Sequence, residues 1–291
     1  MIRPTILFLS LACICAAESP PGNQSDKVPL ARIQAAPDGP VIAQQGDSKV
    51  YTRPYIHPLR SPDGKHALTQ FSPGHHRHQT GLYWGPTRIN GRDFFHNYRK
   101  DYWKHLENRQ GKDSMEFHSE LLDGKGAPML RDRQAWHCQT GKDHYILDLQ
   151  WTGTALQDVT IGKYSYGGLF LRMPWKRGIK AACLNSEGQK NQQGEGKAAK
   201  WVDLAMQIEG MTEMAHIVMI DHPENPGYPT LWRIDGQFGV GPALARRGNI
   251  RIPKGESLTY RYRLVVYEGN DFKTPLVEQA MKDFGKDQAG D

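Results

Sequence analysis

The sequence predicts an all-β protein, an antiparallel β-sandwich that carries one short helix at its C-terminal end. Most apolar residues fall in short runs with partial alternation, which is the period of a β-strand and not of a helix. The 291 residues include 30 Gly and 19 Pro spread along the chain, so turns separate these runs. No long helical segments alternate with the strands, which argues against a doubly wound parallel sheet.

The predicted elements follow in chain order. We predict strands at 48–56, 81–84, 116–122, 134–140, 145–151, 166–173, 205–209, 216–220 and 257–267. The last strand is the clearest, because apolar and aromatic residues alternate along it and therefore share one face: Leu258, Tyr260, Tyr262, Leu264 and Val266. At the C-terminal end, Thr274 and Pro275 suit the first turn of a helix. Its apolar stripe at helical spacing consists of Val277, Ala280, Met281 and Phe284.

Residues 1–17 are predicted to be a secretory signal peptide. Arg3 supplies the basic start, residues 6–12 are apolar, and residues 15–17 form a small-residue cleavage site. A lipid anchor on Cys13 is not favoured, because Ser10 stands where a lipobox usually carries Leu. We therefore expect export to the periplasm or the extracellular space. The mature chain is expected to consist of a polar segment at 18–39, a single domain at 40–285 and a tail at 286–291.

Charge and cysteine content exclude several classes of protein. The formal net charge is +6, but basic and acidic residues are interleaved, so we expect no nucleic-acid partner. We also expect no transmembrane span in the mature chain, and the oligomeric state stays open. Without the signal, Cys138 and Cys183 remain, and an oxidising compartment permits one disulfide between them. No C-x-x-C pair is present, so a zinc ribbon, a redox dithiol and a c-type haem site lack their signatures.

The densest histidine cluster is a candidate active site. His76 and His78 alternate on an extended backbone and therefore point to the same side. They can act as general acid and base, or hold one divalent metal ion with a third ligand from elsewhere in the chain. The structural alternative is a polar loop whose imidazoles hydrogen-bond to backbone carbonyls.

A second candidate group lies in a proline-rich turn at the end of a predicted strand. It combines acidic, imidazole, amide, aromatic and guanidinium side chains, which typically line a sugar site: Asp221, His222, Asn225, Tyr228, Trp232 and Arg233. The alternative is that proline fixes the turn and Trp232 belongs to the core. Two further stretches, 93–96 and 101–103, contain acids and aromatic residues that suit a cleft rim, although ordinary edge and turn residues are favoured there.

Four stretches of this sequence resemble a bacterial family of exported proteins that is often labelled methane oxygenase PmoA. They are 76–82, 166–174, 221–232 and 253–269, and the resemblance extends over 40–285. The first family motif commonly reads HPHHRGL. His76 and His78 match it, whereas Gln79 and Thr80 replace a third histidine and the arginine. The second motif, DHPxNPxYPTxW, matches from Asp221 to Trp232.

The resemblance implies a β-sandwich of the galactose-mutarotase type, whose members act on or bind sugars. It does not imply methane oxidation, because the methane monooxygenase subunit of that name spans the membrane several times and this sequence has no such spans. The departures at Gln79 and Thr80 leave two imidazoles and a neutral amide in place of a three-histidine site.

Two functions remain open from the sequence. The first is an exported carbohydrate-active enzyme of the lyase, epimerase or hydrolase type, with His76 and His78 as proton-transfer groups or metal ligands. His222 would be their partner and Asp221 would orient an imidazole. The sugar would be held by Gln79, Asn225, Tyr228, Trp232 and Arg233. The second is a glycan-binding or surface-structural module without turnover. Adjacent histidines favour the enzyme, because a binding surface has little need of them.

Overall fold

The computed structural model describes residues 30–35, 39–46, 49–74 and 76–286. The strands in these residues are β1 (Arg32–Gln34), β2 (Val41–Gln45), β3 (Tyr55–Leu59), β4 (Leu82–Gly85), β5 (Trp103–Gln110), β6 (Ser114–Leu122), β7 (Pro128–Thr140), β8 (His144–Ala155), β9 (Val159–Ile161), β10 (Gly168–Arg172), β11 (Ala181–Asn185), β12 (Trp201–Gln207), β13 (Met214–Asp221), β14 (Trp232–Ile234), β15 (Gly239–Pro242), β16 (Ile250–Ile252) and β17 (Ser257–Gly269). A 3-10 helix spans Asn191–Gly194, and helix α1 spans Thr274–Phe284. The predicted signal peptide, with Cys13, lies outside the described residues.

The strands form two large antiparallel sheets. The seven-stranded sheet has the order β1-β2-β3-β4-β10-β15-β14, and the eight-stranded sheet has the order β11-β12-β13-β17-β8-β7-β6-β5. Strands β9 and β16 pair separately. The predicted fold class, an antiparallel β-sandwich with a C-terminal helix, is confirmed. Strand β1 lies within the segment 18–39 and pairs with β2 at the edge of the first sheet.

Alternating side chains from the two sheets build one core. Buried and half-buried residues alternate strictly along β8, and Trp151 of that strand stacks on Trp84 of β4 with ring centroids 4.4 Å apart. The predicted inner face of the last strand is confirmed, because Tyr260, Tyr262 and Leu264 of β17 lie in this core. Burial of large side chains on both sheets stabilises the sandwich through the hydrophobic effect.

Helix α1 covers part of the other face of the eight-stranded sheet. Its predicted apolar stripe packs there, with Val277 and Phe284 buried against Val218, Val265 and Tyr267. Arg263, also on this face, is 1% exposed and pairs with Asp148 of β8 through two hydrogen bonds of 2.7 Å.

Two predicted strands need correction, and the state of the two cysteines, which the sequence left open, is defined. The predicted strand at 48–56 begins only at Tyr55, because the backbone amides of Thr52 and Arg53 donate to the carbonyl of Tyr98 and not to a neighbouring strand. The strand predicted at 205–209 is β12, which begins earlier, at Trp201.

Cys138 and Cys183 are both buried free thiols, so the disulfide that the sequence permits is not formed. Within the described residues, no helix is long and apolar enough to cross a membrane.

Candidate functional site

The candidate site lies on the face of the seven-stranded sheet that points away from the core. On β4, Leu82 and Trp84 point inward, so Tyr83 between them points outward. On β10, Phe170 points outward for the same reason and pairs in register with Tyr83, with ring centroids 5.6 Å apart. Tyr55 of β3 is the register partner of Tyr83 on the other side. An aromatic row therefore crosses three strands, which we call the outer aromatic face.

Two loops place histidines over this face. The ring centroids of His76 and His78 are 5.8 Å apart, and those of His78 and His96 are 4.2 Å apart. His78 also contacts Phe95, which packs between Tyr83 and Phe170. The predicted cluster of two histidines is thus extended by His96, which comes from the separate loop before β5.

His96 forms a pair with Asp93 that is suited to proton transfer. The two side chains are 39% and 37% exposed, and His96 Nδ1 lies 2.7 Å from Asp93 Oδ2. Partial burial alone would raise the pKa of Asp93, but hydrogen bonds from the His96 ring and from the amides of Phe95 and His96 lower it overall. The ionised carboxylate accepts the Nδ1 proton, so the other ring nitrogen, Nε2, keeps the lone pair of a base.

Arg53 lies beneath the two histidine loops and joins them. It is 1% exposed and donates to the carbonyls of Phe94 and Phe95 in one loop and of His78 in the other. Its guanidinium carbon lies 3.8 Å above the centroid of the Tyr83 ring. Burial lowers the pKa of Arg53 to about 10, which leaves it a cation at neutral pH. A buried positive charge is therefore fixed directly under His78.

His78 is a neutral imidazole at neutral pH. Burial, together with the neighbouring His96 and the charge of Arg53, lowers the pKa of His78 to about 3. A neutral imidazole carries one N–H donor and one acceptor nitrogen. His78 can therefore donate a hydrogen bond to a hydroxyl group or accept one from it.

Tyr166 and Arg233 border the site opposite the two histidine loops. Tyr166 contacts Phe95 and His96, with ring centroids 4.8 and 5.6 Å apart. Arg233 of β14 places its guanidinium carbon 5.9 Å from the centroid of the Tyr166 ring. Its Nη1 donates to Glu195 at 3.1 Å, and Arg246 donates to the same oxygen at 2.8 Å. The carboxylate of Glu195 thus holds two arginines at this edge.

Arg172 is a second buried cation on the outer aromatic face. It follows Phe170 by two residues on β10, so both side chains point the same way. Arg172 is 2% exposed; its Nη2 donates to Gln237 at 3.0 Å, while Nη1 lies 4.0 Å from Asp235. Nη1 and Nε have no hydrogen-bond partner among the described residues.

A further aromatic pair extends the face. The rings of Tyr51 and Tyr98 stack with centroids 4.1 Å apart and an interplanar angle of 20°. The hydroxyl groups of Tyr51 and Ser72 are 2.8 Å apart. Because Tyr51 also contacts Phe71 and Tyr55, this pair is continuous with the outer aromatic face.

The second group predicted from the sequence has a different setting. Asp221 is 2% exposed and accepts hydrogen bonds from the Asn225 side chain at 2.8 Å and the Thr230 amide at 2.7 Å. Burial raises the pKa of Asp221 to about 6. The side-chain oxygen of Asn225 accepts from the amide of Arg261 at 2.7 Å, which ties the turn to β17.

The side chains of His222 and Trp232 also form hydrogen bonds with backbone groups. His222 Nε2 lies 3.1 Å from the carbonyl of Phe284, and its Nδ1 accepts from the amide of Glu224 at 3.1 Å. This arrangement joins the turn to the end of α1. Trp232 is fully buried in the core and donates its indole N–H to the carbonyl of Ala199 at 2.8 Å. Tyr228 is half-buried in the same turn.

The structure therefore brings one member of the second group to the histidines. Arg233 reaches them through Tyr166, whereas the hydrogen bonds of Asp221, His222 and Asn225 stay within the turn and its neighbours β17 and α1. Gln79 is 3% exposed and its Oε1 has no hydrogen-bond partner among the described residues.

The donor set for a metal ion is incomplete in the part of the chain that is described. A two-imidazole site at His76 and His78 needs a third ligand. No group of three or more His, Cys, Asp or Glu side chains in the described residues is arranged to hold a metal ion. His75, which precedes the pair, lies outside the described residues.

Sequence reasoning gave no weight to Arg53 and Arg172, and little to Asp93 and His96. Arg172 could have been noticed in the sequence, because it is a charged residue at the end of the otherwise apolar strand GLFLR. Arginine is rarely fully buried, so a charge in such a strand is unusual. Asp93 and His96 are three residues apart in a turn, a spacing at which an acid can bond to both an imidazole and the backbone.

Comparison with known proteins defines the family. The chain belongs to the family described as a family of unknown function, DUF6807, whose model matches residues 24–281. No curated protein sequence matches it. The labelling of related proteins as methane oxygenases stays an expectation from the sequence motifs.

Several solved structures are similar in fold. A candidate aldose 1-epimerase from Escherichia coli K12 is 13% identical, with a TM-score of 0.38, and the match covers 78% of this chain and 97% of the other. The Slr1438 protein from Synechocystis sp. PCC 6803 is 11% identical, with a TM-score of 0.38 and coverages of 78% and 93%. A galactose mutarotase related enzyme from Lactobacillus acidophilus is 8% identical, with a TM-score of 0.31 and coverages of 82% and 94%. At this level of similarity, function has to be argued from the site itself.

Proposed function

We propose that the protein is an exported carbohydrate-active enzyme that moves a proton on a sugar at the outer aromatic face. The observation that carries the proposal is the Asp93–His96 pair, which stands partly exposed beside His78 among aromatic rings. An imidazole oriented by a carboxylate is a general base or acid that works near neutral pH. Epimerases, lyases and hydrolases of sugars all require such a group.

Each neighbouring residue has a role in this proposal. His96 Nε2 takes or gives the proton, and Asp93 keeps the ring in the required tautomer. His78, as a neutral imidazole, and His76 hydrogen-bond to sugar hydroxyls. Tyr166 offers a ring against which the C–H face of a pyranose can pack.

The residues of the turn that begins at Asp221 are assigned a positioning role. Asp221 and His222 fix the turn that precedes β14, and β14 in turn places Arg233 at the site. Gln79 holds the histidine loop through its backbone, because its amide donates to the carbonyl of His76 at 2.9 Å.

The test follows sugars by NMR in deuterated water. A panel of mono- and oligosaccharides is incubated with the purified mature protein, and hydrolysis, epimerisation, elimination and deuterium incorporation are all read from one spectrum. We expect one substrate to react, with a rate that falls at least about 100-fold in His96→Ala, the usual weight of a general acid or base. The melting temperature should stay within a few degrees, because the His96 side chain is 39% exposed.

His144 provides a matched control. Its Nδ1 lies 3.2 Å from Asp143, so it belongs to a similar His–Asp pair, but it stands at the start of β8 in the other sheet. His144→Ala should keep full activity. Equal losses in both variants, or full activity in His96→Ala, would contradict the assignment.

The alternative is a glycan-binding module without turnover. It is favoured by one observation, the stacked Tyr51–Tyr98 pair, which can hold a sugar ring and has no part in proton transfer. Binding of a saccharide that never changes chemically, weakened by Tyr98→Ala and not by His96→Ala, would support this function over the enzyme.

A further inference from the structure

We infer that the sugar recognised at the outer aromatic face carries a carboxylate, so that the ligand is a uronic acid or an oligosaccharide that contains one. This inference rests on the proposed function and goes beyond it by naming the chemical class of the substrate. It follows from the excess of cations over carboxylates around the site and from two buried arginines that no carboxylate hydrogen-bonds.

Cations outnumber acids at the site. Among the described residues, the guanidinium groups at or beneath it are those of Arg53, Arg88, Arg172, Arg233 and Arg246, whereas the carboxylates are those of Asp93, Glu195 and Asp235. One carboxylate, Asp93, is bonded to His96, and another, Glu195, is shared by two arginines. The face therefore has an excess of positive charge.

The two buried arginines are the stronger part of this argument. Arg53 is 1% exposed, and its guanidinium donates to carbonyl and hydroxyl oxygens and not to a carboxylate. Arg172 is 2% exposed and keeps Nη1 and Nε without a hydrogen-bond partner among the described residues. Asp235 lies 4.0 Å from Nη1 of Arg172, too far for a hydrogen bond, and Arg53 donates to no carboxylate. A buried cation that no carboxylate hydrogen-bonds is costly, so these two arginines favour a ligand that brings negative charge.

Arg233 is the residue best placed to touch that charge. Its side chain is 32% exposed, and its bond to Glu195 uses Nη1 only. The planar guanidinium offers parallel N–H donors that match the two oxygens of a carboxylate. The ring of Tyr166 beside it would hold the sugar that bears this group.

The experiment measures binding calorimetrically with matched pairs of oligosaccharides. Oligogalacturonate, oligoglucuronate and oligomannuronate are each compared with the carboxyl-reduced oligosaccharide of the same length and linkage. A sulfated neutral oligosaccharide forms a third arm, because sulfate carries charge without the planar geometry of a carboxylate. The mature protein, Arg233→Gln, Arg233→Lys and the control Arg131→Gln are tested; Arg131 is exposed on β7 of the other sheet.

We expect at least one uronate to bind at least tenfold more tightly than its reduced counterpart. Arg233→Gln should lose about tenfold to 100-fold in affinity for the uronate, the range for a charged hydrogen-bonded pair, and little for the reduced sugar. Arg233→Lys should retain part of the preference for the uronate, and Arg131→Gln should retain all of it. Added salt should weaken the binding of the uronate and not that of the reduced sugar.

Three results would overturn the inference, and they differ in what they leave standing. Equal binding of every uronate and its reduced counterpart would show that the ligand's carboxylate is not recognised, while the proposed function would still stand. Tighter binding of the sulfated sugar than of every uronate would replace the carboxylate by sulfate. Failure of every sugar to bind or react would remove the proposed function as well. A melting temperature of Arg233→Gln close to that of the parent shows that an affinity loss is not unfolding.

Discussion

Replacing Asp132 by Asn should stabilise the protein above neutral pH. Asp132 lies on the inner face of β7, 1% exposed, and accepts hydrogen bonds from the Trp151 indole at 2.6 Å and the Gln134 amide at 3.1 Å. Burial raises the pKa of this carboxyl from 3.8 to about 7, against the opposing effect of these two bonds. The folded protein therefore holds a proton that the unfolded chain releases more easily.

The sign and size of the effect follow from proton linkage. Because the folded-state pKa is the higher one, this group's contribution to stability is fully present below pH 3.8 and is lost as the pH rises to about 7. The difference of about 3 pKa units, at about 1.4 kcal/mol each, corresponds to a penalty of about 4 kcal/mol above neutral pH. Asn has no charge to bury and avoids this penalty.

The substitution is compatible with the surroundings. The side-chain oxygen of Asn can accept from Trp151 as before. The oxygen of the Gln134 side chain is buried without a hydrogen-bond partner among the described residues, so a flip of this amide would let it accept from the new N–H group. The variant should thus lose little of the present hydrogen bonding.

Urea unfolding of the parent and Asp132→Asn at several pH values measures the effect. The difference in free energy of unfolding between the variant and the parent should rise by about 3 kcal/mol from about pH 5 to about pH 8. Any cost of the substitution in packing does not depend on pH and therefore does not alter this rise. Gln139→Asn, on the exposed end of the same strand, serves as a control with no expected pH dependence. A stability difference between Asp132→Asn and the parent that does not change over this range would refute the reasoning.

The remaining predictions concern the core, a buried ion pair and the thiols. Trp232→Ala should lower the free energy of unfolding by about 3–5 kcal/mol in urea titrations, because Trp232 is fully buried, and a loss of sugar affinity at unchanged stability would contradict this assignment. Arg263→Met should cost about 3–5 kcal/mol by leaving Asp148 without its partner, and adding Asp148→Leu should recover much of it; no recovery would count against the pair. Cys138 and Cys183 should react with a thiol reagent only after denaturation, since burial raises the pKa of both, and a melting temperature lowered by reductant would indicate a disulfide instead.

The sequence predicted the sheets best where local alternation and burial agree. In β17, every second residue from Tyr260 to Val266 faces the core, so the pattern and the packing carry the same information. Strand β5, WKHLENRQ, was not predicted, because it is a polar edge strand whose pairing with β6 and not its composition makes it extended. The short strands β14, β15 and β16 give too few residues for a period to show.

The site was predicted in part, for a similar reason. His76 and His78 are neighbours in the sequence, so their clustering was visible, and they do lie together on the outer aromatic face. His96 joins them from another loop, and Arg53 from beneath, and no local pattern encodes such contacts. Asp221 and His222, which match the second family motif, were predicted to be site residues. A buried polar turn and a binding site use the same kinds of side chain, so the sequence does not distinguish them.

Mapping where a sugar binds tests the central claim most directly. Hydrogen exchange of the protein is compared with and without the best-binding saccharide, since bound backbone amides exchange more slowly. We predict protection at the histidine loops, 76–80 and 93–98, and at 164–167. Protection confined to the groove of about 380 Å³ on the eight-stranded sheet, which Glu116, Arg133 and Gln150 help to line, would contradict the account.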